Sequence, residues 1–243
     1  MFNKAVIFAG GKGTRFLEQT RFLPKPMIMA KSKPLLIHII NHYKKFNVGE
    51  FYVLTGYKKE IIEKYFIENK DYIKNDDAYL CSDGSKVFVF DTGQNTLTGG
   101  RLLKAFEKYN FDNFYLTYGD GISDVNIKSL TDFHLKHSSI GTVTAVNPPP
   151  RFGNLELVGD SVVDVKEKHK NKDSWINGGF FVFNREIKKY LKKDEPFEQA
   201  PLKNLSRDNE LFAYKHKGYW QCVDTIRELE VLESDIDSKK FIQ

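Results

Sequence analysis

Hydrophobic and polar positions along the chain follow two periods, and the switches between them mark out the elements. Residues 5–9 (Ala-Val-Ile-Phe-Ala) form a short unbroken apolar run, the pattern of a strand buried on both faces, and a glycine-rich turn follows at 10–15. Pro34 then opens a stretch with apolar residues at 35, 36, 39, 40, 43 and 46, a helical spacing with proline at a favoured first position. The same order recurs with strands at 51–54, 87–90 and 113–118 and helices near 58–66, 101–109 and 127–137. Strands alternating with helices in this way predict an α/β, Rossmann-like fold, with a mostly parallel central sheet covered by helices on both faces.

From about residue 140 the rhythm changes. Runs at 141–146, 153–158, 161–166 and 178–183 are strand-like with short turns, and helical spacing returns near 185–192 and 225–236. These segments are expected to complete the sheet and to add a β-rich substrate-binding region. The stretch 69–86 is polar and reads as a surface excursion. No linker and no internal repeat interrupts the chain, so residues 1–243 are expected to form one domain.

Composition narrows the classes. With 41% hydrophobic and 28% charged residues the chain can bury a core, which excludes disorder. The net charge of +5 comes without any long basic block, and such a diffuse excess fits small anionic substrates at least as well as nucleic acid. Two cysteines, Cys81 and Cys222, make neither a disulfide framework nor a metal quartet, which points to a reducing cytoplasm. The apolar run at 5–9 is too short for a signal-peptide core, and no run approaches the ~20 residues of a membrane span. His38 with His42, and His134 with His137, share helical faces, but no glutamate follows His38 and no cysteine joins them, so they read as amphipathic residues and not as zinc ligands.

The chemistry starts at Gly10-Gly11-Lys12-Gly13-Thr14-Arg15, directly after the first strand. Glycines let backbone N–H groups close around phosphate oxygens, and Lys12, Arg15 and Lys25 add cations nearby. A dinucleotide fingerprint would need glycine or alanine where Phe16 stands, and a Walker loop would need Gly-Lys-Ser/Thr, so neither applies. Asp120, between Gly119 and Gly121, follows the strand at 113–118 and lies on the same rim of the sheet. Asp224 precedes a helix, yet Thr225-Ile226-Arg227-Glu228 already offers a capping box, which leaves Asp224 free for other work. On residue types alone Asp120 is equally a turn residue and Asp224 equally a cap.

Ala9-Gly10-Gly11-Lys12-Gly13-Thr14-Arg15 followed by Pro24-Lys25-Pro26-Met27 resembles the signature of the nucleotidyltransferases that form sugar nucleotides. Thr98-Gly99-Gly100-Arg101, Tyr118-Gly119-Asp120-Gly121, Arg151-Phe152-Gly153, Asn177-Gly178-Gly179-Phe180-Phe181 and Trp220-Gln221-x-x-Asp224-Thr225 resemble the glucose-1-phosphate cytidylyltransferase branch in particular. The resemblance implies a nucleotide-diphospho-sugar transferase fold, with residues 1–137 a nucleotide-binding half and 138–243 a sugar-phosphate-binding half. It implies transfer of a cytidylyl group from CTP to a sugar 1-phosphate, with Mg²⁺ as cofactor, in a homo-oligomer. Arg15, Lys25 and Asp120 would be catalytic, and Asp120 and Asp224 would hold the metal. Gly10, Gly11, Gly13, Thr14, Arg15, Lys25 and Gly119 would bind the nucleotide with Asp120, and Thr98, Gly99, Gly100 and Arg101 would read its base. Lys168 would take the sugar phosphate, Glu167 the sugar hydroxyls, and Arg151, Gly153, Asn177 and Gly178 the rest of the sugar side.

The chain departs from that branch at three places: His169 replaces a proline after Lys168, the segment between Phe66 and Asp91 is shorter, and Cys222-Val223 replaces Pro-Met before Asp224. Such changes leave open a different sugar 1-phosphate or another phosphorylated acceptor. From a different class, a non-catalytic sensor of nucleotides or sugar phosphates also remains open.

Overall fold

The computed structural model of the chain describes residues 2–16, 20–148, 154–166 and 174–238. In chain order its strands are β1 (Lys4–Phe8), β2 (Met29–Ala30), β3 (Lys33–Pro34), β4 (Glu50–Thr55), β5 (Tyr72–Asn75), β6 (Ala78–Cys81), β7 (Lys86–Asp91) and β8 (Asn113–Tyr118). They continue as β9 (Gly121–Ser123), β10 (Gly141–Val146), β11 (Asn154–Val158), β12 (Ser161–Lys166), β13 (Ile176–Asn177), β14 (Phe181–Asn184), β15 (Leu211–His216) and β16 (Trp220–Cys222). The helices are α1 (Leu35–Lys44), α2 (Lys59–Glu68), α3 (Thr98–Lys108), α4 (Ile127–His137), α5 (Ala200–Arg207) and α6 (Ile226–Asp237).

The main sheet runs β13-β10-β14-β8-β1-β4-β7-β6-β5, with β15 paired to β10. Its centre, β8-β1-β4-β7, is parallel, whereas β14, β13, β6 and β5 join antiparallel. The expected mostly parallel central sheet is present, and antiparallel strands extend it on both sides. The reason lies in the connections: the helical crossovers fall between the central strands, whereas β5 and β6 are joined by the two-residue turn Asp76-Asp77, which allows antiparallel pairing alone.

Strand β1 shows why its sequence is apolar throughout. Ala5 and Ile7 pack into one core with Leu35, Ile39 and Tyr43 of α1, while Val6 and Phe8 pack into a second core with Leu102 and Ala105 of α3. A strand covered on both faces has no polar side to show. Strands from both halves of the chain share this one sheet, since β14 pairs with β8, β10 with β14 and β15 with β10.

Several elements differ from the expectations. Residues 69–86, read as an excursion, contain the β5-β6 hairpin, which extends the sheet by pairing β6 with β7. Tyr72, Ala78 and Tyr79 are its buried residues, and its polar tip with Asp76 at φ +48° masked that pattern. The helical spacing near 185–192 closes as a 3-10 helix, Arg185–Tyr190. Helix α5 and the edge strand β15 carried no expectation; β15 has an exposed face, so it lacks the apolar run of a buried strand. Among the described residues no helix is long and apolar enough to cross a membrane.

Histidines of both helical pairs are hydrogen-bonded into the fold. His42 Nε2 lies 2.8 Å from the Val125 carbonyl oxygen, and His134 Nδ1 lies 2.9 Å from Thr142 Oγ1. Burial pushes both imidazoles down from 6.5 to about 4, so both are neutral when folded. Between those values the unfolded chain takes up protons that the folded chain refuses, so stability must fall as the pH drops through this window. The urea midpoint should therefore decrease between pH 7 and about pH 5, and the double variant His42→Gln/His134→Gln should show a shallower decrease. An unchanged slope in that variant would assign the acid sensitivity to other groups.

Candidate active site

Strands β1 and β8 are parallel neighbours, with Phe8 in register with Tyr118. The chain leaves β1 toward β4 on one side and returns through β8 on the other, so their carboxyl ends flank a topological switch point, where open α/β sheets bind ligands. Gly119 makes the first turn out of β8. A Cβ there would lie 2.7 Å from both the Phe8 carbonyl oxygen and Pro26 Cγ, so glycine lets the chain press against the 3-10 turn Lys25–Met27. The next residue, Asp120, is thereby delivered to Lys25.

Asp224 reaches the same point along a different route. Antiparallel β16-β9 pairing sets Cys222 opposite Gly121, and the Val223 N–H donates to the Asp120 carbonyl oxygen at 3.1 Å. Thr225 caps α6 by accepting from the Glu228 N–H, while Glu228 reaches back to accept from the Asp224 N–H at 2.7 Å. The Asp224 carboxylate is therefore not consumed as a cap. It receives Lys25 Nζ at 2.5 Å, and the same ammonium donates to Asp120 Oδ2 at 2.5 Å.

Burial by itself would lower the Lys25 pKa, but the facing Asp120 carboxylate outweighs it and holds the ammonium well above its ordinary value, hence charged. Cys222 moves the other way: burial and the Asp120 charge push its thiol up, so it stays protonated. A carboxylate oxygen of Asp120, one of Asp224 and Cys222 Sγ all lie within 4.8 Å of one another. Two carboxylate oxygens suit a hard divalent cation that completes its shell with phosphate and water, and a neutral thiol adds nothing for such an ion.

The glycine turn stands over Arg101, a residue only 3% exposed. Nη1 donates to the Thr55 carbonyl (2.8 Å), Thr92 Oγ1 (2.5 Å) and the Gly93 carbonyl (2.9 Å), and Nη2 donates to the Gly10 carbonyl (2.8 Å). Any side chain on Gly10 or Gly56 would collide with this group. Burial pushes the Arg101 pKa down to about 10, which still leaves it charged at neutral pH. The sequence placed Arg101 against the nucleotide; the structure places it beneath the turn, as the clamp that joins the loop after β1 to the ends of β4 and β7.

Gly99 and Gly100 were likewise expected at the nucleotide; side chains there would strike the carbonyls of Glu195 and Lys193, and the Gly99 N–H donates to the Glu195 carbonyl at 3.0 Å. Thr98 Oγ1 donates to Glu198 Oε2 (2.7 Å) and accepts from the Phe197 N–H (2.8 Å). These three residues dock the start of α3 onto the segment before α5. Within the turn itself, Gly13 has φ +61°, while Gly11 and Thr14 are exposed beside Lys12 with open space above Gly11. A cleft of about 360 Å³ opens next to the turn, lined by Gly56, Tyr57, Lys58, Lys59, Glu60, Asp91 and Gln94.

On the other side of Asp120, Trp220 Nε1 donates to the Gly178 carbonyl at 2.8 Å. Asn177 Oδ1 accepts from the Gly179 N–H at 2.9 Å and its Nδ2 donates to Tyr118 Oη at 3.2 Å. Tyr118 and Glu198 are rim residues that sequence reasoning missed. Burial and the nearby Glu198 carboxylate push the Tyr118 phenol up. Tyr118 could have been found as the last residue of a strand before a Gly-Asp turn; Glu198 had no local signal. Arg151, Gly153, Glu167, Lys168 and the side chain of Arg15 lie outside the described residues.

A lysine-bridged carboxylate pair beside a glycine turn, at the switch point of a parallel sheet, defines a site for phosphorylated ligands. The family model described as "Nucleotidyl transferase" matches residues 4–238. The chain is 38% identical over 242 residues to the glucose-1-phosphate cytidylyltransferase of Salmonella typhi, covering 95% of this chain and 94% of that protein. It is 39% identical over 238 residues to the probable glucose-1-phosphate cytidylyltransferase of Bacillus subtilis, covering 93% of each. Among solved structures it is similar to a UDP-glucose pyrophosphorylase complexed with UDP-glucose, with a TM-score of 0.73 at 17% identity, covering 98% of this chain and 100% of that one. The chain belongs to the nucleotidyl transferase family.

Two outcomes follow from the geometry. Arg101→Met removes the one side chain that bonds acceptors at three strand ends together and should cost about 3 kcal/mol in urea unfolding, with the glycine turn exposed to early proteolysis. Lys25→Met leaves Asp120 and Asp224 facing each other without their cation. Added Mg²⁺ should then raise the melting temperature more in the variant than in the parent, and an equal rise would show that Lys25 does not compete for the metal position.

Proposed function

We propose that the chain transfers a cytidylyl group from CTP to α-D-glucose 1-phosphate, giving CDP-glucose and pyrophosphate. The observation that carries this reading is the convergence of Lys25 on Asp120 and Asp224 at the switch point, in a chain 38% identical to a glucose-1-phosphate cytidylyltransferase. A phosphate oxygen of the sugar 1-phosphate attacks the α-phosphorus of CTP. The new P–O bond forms as the bond to the bridging oxygen of the β-phosphate breaks, and pyrophosphate leaves with that electron pair. Both reactants are anions, so alignment and charge neutralisation supply most of the rate, and no covalent intermediate on the protein is required.

Each residue has a physical task in this scheme. Lys25, charged and held on a short turn, brings a cation to the nucleotide phosphates, with Arg15 alongside on the glycine turn. The bare backbone of Gly11 and Gly13 leaves room for phosphate oxygens to approach. Asp120 and Asp224 would hold Mg²⁺, which when bound neutralises phosphate charge. On the acceptor side, Lys168 meets the sugar phosphate and Glu167 its hydroxyls, with Arg151, Gly153, Asn177 and Gly178 around the ring. The Trp220–Gly178 hydrogen bond ties that side to the strand that carries Asp224. Free thiols at Cys81 and Cys222 suit the cytoplasm, where CTP is made, and a CDP-sugar would feed surface polysaccharide synthesis.

The test is a panel of four nucleoside triphosphates against several sugar 1-phosphates, read as pyrophosphate release. CTP with glucose 1-phosphate should be fastest. Preference for UTP or dTTP would overturn the base, preference for another phosphate would reassign the acceptor, and CTP binding without pyrophosphate anywhere in the panel would make the chain a sensor. Asp120→Asn and Asp224→Asn should each lower kcat by about two orders of magnitude or more. Near-normal turnover in either variant would remove that residue from the site.

A further inference from the structure

Cys222 has no task in the reaction above, yet its position is built with care. Along β16 and the two residues after it, Gln221 (7% exposed) and Val223 (0%) turn into the core, so Cys222 and Asp224, two apart, share the opposite face. That face meets Asp120 and Lys25. The pairing of Cys222 with Gly121 and the bond from the Val223 N–H to the Asp120 carbonyl fix this register, so the sulfur cannot slide away from the carboxylates. Three potential ligand atoms, two of them oxygen and one sulfur, then lie within 4.8 Å of one another. The position between the two oxygens already accommodates positive charge, because the Lys25 ammonium is 2.5 Å from each.

We infer that Asp120, Cys222 and Asp224 form a mixed oxygen–sulfur site that binds a thiophilic divalent cation of the Zn²⁺ class, in competition with the Mg²⁺ of turnover. The inference rests on the assignment of Asp120 and Asp224 as the metal carboxylates. Hard Mg²⁺ takes oxygen ligands and has no use for the sulfur, whereas Zn²⁺, Co²⁺ and Cd²⁺ bind thiolates strongly. On binding, the S–H proton passes to solvent as the metal–sulfur bond forms, and the Lys25 ammonium leaves the carboxylates. No electron is transferred. Three protein ligands leave a fourth position of the ion open, so the ion would hold the carboxylates in a constellation that excludes Mg²⁺. The consequence for the enzyme is inhibition by zinc that added Mg²⁺ relieves.

The experiment titrates the full chain with Co²⁺ and follows the thiolate-to-cobalt charge-transfer band in the near ultraviolet, a signal that carboxylates cannot produce. Wild type and Cys81→Ser, which removes the other cysteine, should develop the band with one Co²⁺ per chain and lose it on adding Zn²⁺. Cys222→Ser should not develop it. With each variant's rate referred to its own Mg²⁺-supported turnover, half-inhibition by Zn²⁺ should need at least about tenfold more zinc in Cys222→Ser than in wild type. No band in the wild type, or a band that survives Cys222→Ser, overturns the inference. The two readings fail separately: pyrophosphate release without the band retains the reaction and removes the thiophilic site, whereas the band without pyrophosphate release retains the site and removes the reaction.

Discussion

Acceptors from three separate strand ends close on the Arg101 guanidinium, and the geometry of the rim depends on them. The carbonyl of Gly10 follows β1, that of Thr55 ends β4, and Thr92 with Gly93 follows β7. Each carbonyl also accepts a backbone N–H, from Tyr57, Thr92 and Thr96 respectively, and has a second lone pair to offer. One buried cation from α3 takes up that remaining capacity at all three strand ends, and the glycines at 10 and 56 leave it room. The exposed residues of the turn, Gly11, Lys12 and Thr14, thus rest on a rigid support.

The second pivot is Lys25, and it solves a problem of repulsion. Asp120 and Asp224 are brought side by side by backbone pairing of β9 with β16, and in a partly buried crevice such a pair is costly without a counterion. Lys25 supplies the counterion from the turn after Pro24, where its own burial would otherwise discourage the charge. The two carboxylates hold the Lys25 ammonium in place and charged.

The net charge of +5 takes on meaning in this setting. Several cations are engaged structurally: Arg101 beneath the turn, Lys104 on the Thr92 carbonyl, Lys59 on Asp91 and Lys44 on Asp83. Lys25, by contrast, is placed between two acids at the switch point of the sheet.

The local signals in the chain determined a good deal. Apolar runs and helical spacing located β1, β4, β7, β8, β10 and the helices α1 to α4 to within a few residues, because burial on a sheet or one helix face leaves a periodic trace. The positions of Gly10, Lys25, Asp120 and Asp224 at element ends were legible for the same reason, and Thr225 was legible as the cap of α6. The tertiary structure decided what depends on distance across the fold. Nothing local in Arg101 shows that its donors would find carbonyls from three strands, or that Gly99 and Gly100 would be needed for close approach to residues 193–195. Nothing local pairs Tyr118 with Glu198, or sets Cys222 beside Asp120. Periodicity records which way a side chain faces relative to its neighbours in sequence, whereas a site records which distant side chains it meets, and that is fixed by strand order, register and packing.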